Sequence, residues 1–293
     1  MPEDVRHCPL CGGSSNRQFD RRQFHDYRVR NVICKRCGLV YQSPRMTEAE
    51  SQAFYEAEYR LLYQGQQGPN TKDMAVQTNR ALVTLDFTRK NVESAARILD
   101  IGCSTGILLH QLQQYYHCEV AGIEPGKIYQ DYARSTGLEV YSSLDELEDS
   151  RKPFSLVCMM HVLEHLIDPV EYLASLRTTL LEPSGWLLLE VPNLHAHDSF
   201  EVAHLVSFSS HSLTQVLQKA GFRLVSLRRH GQPRSELIPL YITVLAQPAV
   251  ETEFTLKPER QVRFQRQWGF LRRKLTERFA PQRAWLPTET TIR

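Results

Sequence analysis

Between residues 97 and 247 the chain alternates short apolar runs with amphipathic segments. Apolar runs at 97–101, 119–123, 138–141, 155–160, 186–191, 223–229 and 238–245 predict strands, and helical periodicity over 107–116, 127–136, 169–180 and 210–219 predicts helices. Such alternation requires crossover connections, so the expected architecture is α/β, with a mostly parallel sheet covered on both faces. The last two runs are separated by little more than Gly231-Gln232-Pro233, which predicts a hairpin at one edge. Residues 46–95 read as helical: Thr47 can cap Glu48-Ala49-Glu50, Phe54, Ala57, Leu61 and Leu62 recur at helical intervals, and a second helix is expected over about 74–92. Residues 1–45 carry paired cysteines and loop punctuation, and residues 248–293 show no strand pattern. Four units are therefore expected: a module at 1–45, a helical linker or lid at 46–95, the α/β domain at 96–247 and a tail at 248–293.

The chain has 293 residues, 42% of them hydrophobic, and a formal net charge of +2. That is ample for a buried core, and too little charge for a whole-protein field directed at nucleic acid. No apolar run of about 18 residues is present, and Met1-Pro2-Glu3-Asp4 lacks the basic and apolar regions of a signal peptide. A cytoplasmic protein is expected. Seven cysteines are an odd count, and four of them form two pairs near the start.

Those pairs are Cys8-Pro9-Leu10-Cys11-Gly12 and Cys34-Lys35-Arg36-Cys37-Gly38. Two such turns can bring four thiolates around one Zn2+ ion, and glycine after each second cysteine permits the tight turn. Cys8, Cys11, Cys34 and Cys37 are thus expected to hold structural zinc, because four thiolates leave no open position for chemistry. Cys103, Cys118 and Cys158 sit in or beside apolar segments and are expected to fill the core.

Ile98-Leu99-Asp100-Ile101-Gly102-Cys103-Ser104-Thr105-Gly106 runs from a strand through a glycine turn into a helix. A turn of this kind lets a ligand approach the backbone. About twenty residues on, a second strand ends at Glu124, where a carboxylate can accept the two hydroxyls of a ribose. A dinucleotide site would want Gly-x-Gly-x-x-Gly and a P-loop would want Gly-Lys-Ser/Thr, and neither occurs here.

These residues, with Gly122-Ile123-Glu124-Pro125, Phe154-Ser155-Leu156-Val157, His161-Val162-Leu163-Glu164-His165-Leu166-Ile167-Asp168-Pro169 and Leu181-Glu182-Pro183-Ser184-Gly185-Trp186-Leu187, resemble the class I S-adenosylmethionine-dependent methyltransferases. The resemblance covers about 97–247 and implies a Rossmann-like seven-stranded sheet. It implies cofactor contacts for Asp100, Gly102, Ser104 (where many members have glycine), Gly106 and His161, with Glu124 as ribose ligand. Pro125, Ser143 and Leu144 fall where the adenine pocket is expected, although the Asp often found there is missing. The cysteine pairs, with Tyr59, Tyr63 and Arg80 in the linker, look like a subgroup that includes sugar methyltransferases.

Methyl transfer is an in-line displacement in which the enzyme aligns donor and acceptor and a base removes a proton from a hydroxyl or activated carbon. His161, Glu164 and His165 follow the fourth strand of the domain at i, i+3 and i+4, so a helical turn would place them on one face. Three readings stay open for this trio: structural hydrogen bonding, general-base chemistry, or a divalent metal. The resembling quinone O-methyltransferases are thought to hold such a metal, but they carry a carboxylate at the position of His161. After the fifth strand come His195, His197, Asp198 and His204. In the resembling sugar enzymes a histidine before Phe-Ser lies near the active site, which places His204 beside His161 as the foremost candidate base.

Residues 257–283 contain nine basic residues against two acidic ones, an excess of seven positive charges that leaves −5 for the remainder of the chain. Phe264, Trp268, Leu271, Leu275 and Phe279 fall at steps of four, three, four and four, one apolar stripe on a helix. Packing on the parent domain or on a second copy, docking at the inner membrane surface, and RNA binding are the readings of this tail; the spacing does not give the oligomeric state. The leading expectation is methylation, at O or C, of a small-molecule or glycan-type acceptor: a sugar, nucleotide-sugar or polysaccharide. The alternatives are an RNA base methyltransferase docking through the zinc ribbon and a non-catalytic scaffold. The net charge of −5 outside the tail argues against the first, and intact Gly102, Gly106 and Glu124 argue against the second.

Overall fold

The structure is a computed structural model that describes residues 2–58, 62, 68–147, 153–249 and 253–287. Tyr59, Leu61 and Tyr63 lie outside the described residues. Eleven strands form two sheets among the described residues. The larger contains β4 (Arg97–Ile101), β5 (Glu119–Ile123), β6 (Val140–Tyr141), β7 (Phe154–Met160), β8 (Leu181–Pro192), β10 (Phe222–His230) and β11 (Tyr241–Pro248), in the order β10-β11-β8-β7-β4-β5-β6. The strands from β6 to β8 pair in parallel, and β11 pairs antiparallel with both β8 and β10, which is the expected edge hairpin.

Apolar side chains occupy both faces of this sheet. Leu99, Val157 and Leu189 contribute to one buried cluster, while Ile98, Leu156 and Leu188 contribute to the other. Neighbouring residues of one strand point to opposite faces, so continuous apolar runs mean cover on both sides. The cover comes from α3 (Ile107–Tyr116), α4 (Lys127–Ser135), α5 (Pro169–Thr179) and α6 (Ser210–Lys219). Cys103 and Cys158 are buried in the second cluster and Cys118 packs beside it. Strand order reverses at β4, which opens a crevice at the carboxyl ends of β4 and β7, the usual ligand position in such sheets.

Helices α1 (Glu48–Ala57) and α2 (Thr71–Thr88) precede the sheet. The Thr47 hydroxyl accepts from the Glu50 N–H, and the Glu50 carboxylate accepts from the Thr47 N–H, a reciprocal cap that fixes the start of α1.

The smaller sheet has the order β1-β2-β3-β9, built from β1 (Asn16–Phe24), β2 (Tyr27–Cys34), β3 (Val40–Gln42) and β9 (Val206–Ser207). Its fourth strand comes from beyond β8, so the amino-terminal strands and the α/β domain share one sheet. Cys8, Leu10, Cys34, Cys37, Leu39 and Tyr41 belong to the same buried cluster as Leu99 and Val157. The last helices among the described residues are α7 (Val262–Phe279) and the short α8 (Pro281–Ala284).

Candidate functional site

The turn after β4 is built for close approach. Gly102, Ser104 and Gly106 have φ of 80°, 52° and 78°, the left-handed region. A Cβ on Gly102 would stand 2.6 Å from Val162 Cγ2, and one on Gly106 only 2.1 Å from Leu138 Cδ1, so both positions demand glycine. Glu124, at the end of β5, accepts the Ser104 N–H on Oε2 at 3.0 Å and the Gly126 N–H on Oε1 at 2.9 Å. Each carboxylate oxygen offers two lone pairs, so both can still receive a vicinal ribose hydroxyl. Asp100 is 2% exposed and its Oδ1 has no hydrogen-bond partner. Burial, and then the charge of Glu124, push its carboxyl up to about 8, a site that a cationic ligand would satisfy. Pro125 is exposed just beyond Glu124, and Ser143 and Leu144 follow β6, whose Tyr141 carbonyl accepts the Glu124 N–H at 2.9 Å. The cradle therefore fits the nucleoside and the charged amino-acid end of S-adenosylmethionine.

Beside the cradle, at the carboxyl end of β7, lies a buried polar network. His161 has φ of 58° and places Nδ1 3.2 Å from Glu164 Oε1 and Nε2 3.1 Å from Glu190 Oε1. Glu190 Oε2 accepts from the Thr243 hydroxyl at 2.7 Å and lies 3.1 Å from His230 Nε2, and Arg80 on α2 brings Nε to 3.7 Å from Oε1. Despite the burial that opposes ionisation, hydrogen bonds from His161 hold Glu164 down at about 2 and, with those from His230, hold Glu190 well below the carboxylate range. Burial and Arg80 disfavour protonation of His161, but the two carboxylates outweigh them and raise its pKa above that of an ordinary histidine. With an ionised acceptor at each nitrogen, the ring favours the imidazolium form. Tyr241 packs its ring edge-on to His161 at 5.3 Å between centroids, and His197 tilts toward the same ring at 5.8 Å.

His165 and His204 form a second pair. Their rings lie 4.9 Å apart; His165 Nδ1 donates to the Ala203 carbonyl at 2.9 Å and His204 Nδ1 to the Ser199 carbonyl at 2.8 Å. Burial lowers both, His165 to about 4, so both are neutral with the lone pair on Nε2. The face predicted for His161, Glu164 and His165 is divided differently from the simple helical reading. The segment Leu163–His165 is a tight 3-10 turn, and Glu164, His165 and His204 bring donor atoms within 4.8 Å of one another, while His161 turns to Glu190. Of the two foremost candidate bases, His161 is next in sequence to Val162, which abuts Gly102 of the cradle.

The four cysteines converge as their spacing predicts. Sγ atoms of Cys8, Cys11, Cys34 and Cys37 all lie within 4.8 Å of one another, with Cys8–Cys37 and Cys11–Cys34 each at 3.5 Å. Gly12 and Gly38 take φ of 70° and 86° to close the two turns, and the Leu39 N–H points at Cys37 Sγ from 3.5 Å. A closed, soft, four-sulfur donor set of this kind fits structural zinc.

Several members of the network were not selected from the sequence. Glu190 reads as the end of a strand, and Tyr241, His230 and Thr243 come from the edge hairpin, whose register alone brings them across from β8. Gln77, the acceptor of the Thr105 hydroxyl hydrogen bond, was also missed; it lies on α2 with Arg80, which the sequence had singled out only through the subgroup resemblance.

Residues 73–227 match the family model described as a methyltransferase domain. A ubiquinone biosynthesis O-methyltransferase of Xylella fastidiosa is 31% identical over 119 residues, 38% of this chain and 48% of that protein. The corresponding enzyme of Haemophilus ducreyi is 32% identical over 118 residues, 36% of this chain and 49% of that one. The chain thus spans about half the length of the curated relatives it matches. Among solved structures, the 1,6-didemethyltoxoflavin-N1-methyltransferase of Burkholderia thailandensis, with 1,6-didemethyltoxoflavin and S-adenosylhomocysteine bound, superposes with a TM-score of 0.56 at 16% identity, over 79% of this chain and all of that one. The [4+2]-cyclase SpnF superposes at 0.53 with 16% identity, over 71% of this chain and 99% of its own, so the fold is shared across different reactions. The family match spans more than half of the sequence and takes in the glycine turn, Glu124 and the His161 segment: the chain belongs to the methyltransferase domain family.

Proposed function

We propose that the protein transfers a methyl group from S-adenosylmethionine to a polar, hydroxyl-bearing small molecule or glycan-type acceptor. One observation carries the substrate class: the network beside the cradle has buried polar atoms that lack hydrogen-bond partners, Arg80 Nε, Glu164 Oε2, His197 Nδ1 and His230 Nδ1. Unpaired polar atoms reject an apolar ligand and reward one that supplies donors and acceptors. When bound, S-adenosylmethionine supplies a methyl group made electrophilic by its sulfonium. Glu124 holds the ribose, Asp100 faces the positive charge, and Gly102 and Gly106 admit the ligand to the backbone. His161 takes the acceptor proton once its own has left, with Glu190 and Glu164 stabilising the imidazolium that results. Arg80 and Tyr241 border the acceptor side, and the partial exposure of Arg80 and His161 supports entry of a small group or a chain end.

The partial likeness to ubiquinone-pathway enzymes favours a second reading, O-methylation of a phenolic ring carried by a lipid. Incubation of the protein with methyl-labelled S-adenosylmethionine and an extract split into RNA, glycan, small polar and lipid-soluble pools separates the readings. Label in the glycan or small polar pool is expected. Label confined to lipid moves the assignment to the second reading, and label confined to RNA overturns both.

A further inference from the structure

Helix α7 has two unlike faces. On one, Arg266 is 9% exposed and is held by the carbonyls of Leu194 and His197 and, at 3.1 Å, by Asp198 Oδ1, with its guanidinium 4.1 Å from the Phe200 ring centroid. One turn on, Gly269 lies so close to the domain that a Cβ would stand 1.8 Å from the His195 carbonyl oxygen. Arg273 then donates to the Ala196 carbonyl at 3.3 Å and to Glu277 at 3.0 Å. This face fixes the helix to the domain along its length.

The apolar stripe is on the other face. Phe264, Trp268, Leu271, Leu275 and Phe279 are 46% to 75% exposed, and at 100° per residue they fall within an arc of about 80°. Packing on the parent domain, one reading of the sequence, is excluded for the stripe because Arg266, Gly269 and Arg273 occupy the packed side. Arg272, Lys274 and Arg278 are exposed beside it, without a carboxylate partner among the described residues, whereas Glu277 on the same helix is bound to Arg273. Leu237, 41% exposed on the β10–β11 connection, extends the apolar surface. Between it and α7 runs a groove of about 240 Å³ lined by Phe264, Trp268, Leu237, Arg229 and Arg272.

We infer that this face docks the protein on an anionic lipid bilayer, with the five apolar side chains entering the acyl boundary and the three flanking cations among the head groups. The charge pattern selects the occupant. A second copy using the same stripe would bring Arg272, Lys274 and Arg278 of both copies together with no free acid on that face among the described residues to neutralise them. Nucleic acid would use the cations and leave five large apolar groups wet. A bilayer with acidic head groups meets both halves of the face, as basic amphipathic helices do when they lie in the interface. No helix among the described residues is long and apolar enough to cross a membrane, so contact would be peripheral. Because the packed face of α7 grips the carbonyls of Leu194, Ala196 and His197, docking would set the orientation of the segment that carries His197 to the Tyr241 ring.

Flotation of the full chain with phosphatidylcholine vesicles, with and without phosphatidylglycerol, tests the inference. Binding to the anionic vesicles, weakened by salt and accompanied by a blue shift of Trp268 fluorescence, is expected. Trp268→Ala with Phe264→Ala should weaken partitioning by more than about tenfold. Both side chains are exposed, so the thermal midpoint should not move, which separates lost docking from lost folding. Absence of binding, equal binding to neutral vesicles, or self-association abolished by Leu271→Glu would each overturn the inference. Vesicle binding does not depend on methyl transfer, so the two proposals fail separately.

Discussion

His161 is tied to Glu190 twice: its backbone N–H donates to the Glu190 carbonyl at 2.8 Å, and its Nε2 lies 3.1 Å from the Glu190 carboxylate. The strand end and the imidazole therefore share one rigid frame, and the charge of Glu190 acts on the ring at fixed distance. Loss of that charge should lower the His161 pKa, because Glu190 is one of the two carboxylates that hold the ring protonated. A group with a raised folded-state pKa is a free base only above it. The proposed reaction should consequently show an ascending pH–rate limb above the ordinary histidine range, displaced to lower pH in Glu190→Gln. An unmoved limb would remove His161 from the role of base.

Glu124 is expected to dominate cofactor affinity. Glu124→Ala removes two charge-assisted acceptors, each worth about 1.5–3 kcal/mol, so S-adenosylmethionine should bind at least about tenfold more weakly by calorimetry. The Ser104 and Gly126 amides lose their partner as well, and the variant should melt lower.

Binding at the cradle should release protons. Asp100, held at about 8 by burial and by Glu124, is largely protonated at neutral pH, and a cation beside it favours ionisation. Calorimetry in buffers of different ionisation enthalpy should detect release near pH 7, fading above about pH 9 and absent in Asp100→Asn. The folded apo protein binds the extra proton, so its stability should fall as pH rises from the ordinary aspartate range through about 8; Asp100→Asn should flatten that slope.

Removal of zinc should destabilise more than the amino-terminal module. Structural zinc contributes on the order of 10 kcal/mol of apparent binding energy, and three of the four cysteines are buried in the cluster that contains Leu99 and Val157. A strong chelator should lower the midpoint of the whole transition, with metal analysis giving one zinc per chain in the untreated protein. An early, separate transition confined to the module would contradict this coupling.

The parallel sheet was legible because runs such as Leu187-Leu188-Leu189 are apolar on both faces and end in glycine or proline signals. The glycine turn and Glu124 were legible because ligand approach constrains residue type at fixed spacing. The strands β1 to β3 were not: Arg17, Arg21, Arg22, Arg28 and Arg30 interrupt the apolar pattern, and only Phe19 of β1 is buried. Glu190 was missed because a strand-end carboxylate becomes notable only when the antiparallel register sets Thr243 opposite it. The apolar stripe of α7 was read correctly as a stripe, but periodicity gives no direction, and the packed side proved to be the one bearing Arg266 and Arg273.

The pairing of β3 with Val206–Ser207 bears on how the chain is made. During synthesis the first three strands leave the ribosome long before the segment that completes their sheet, and a contact so distant in sequence forms late. In that interval the four thiolates are the local means of holding the nascent turns together, so metal capture early in translation would guard an open sheet edge until the rest of the polypeptide arrives.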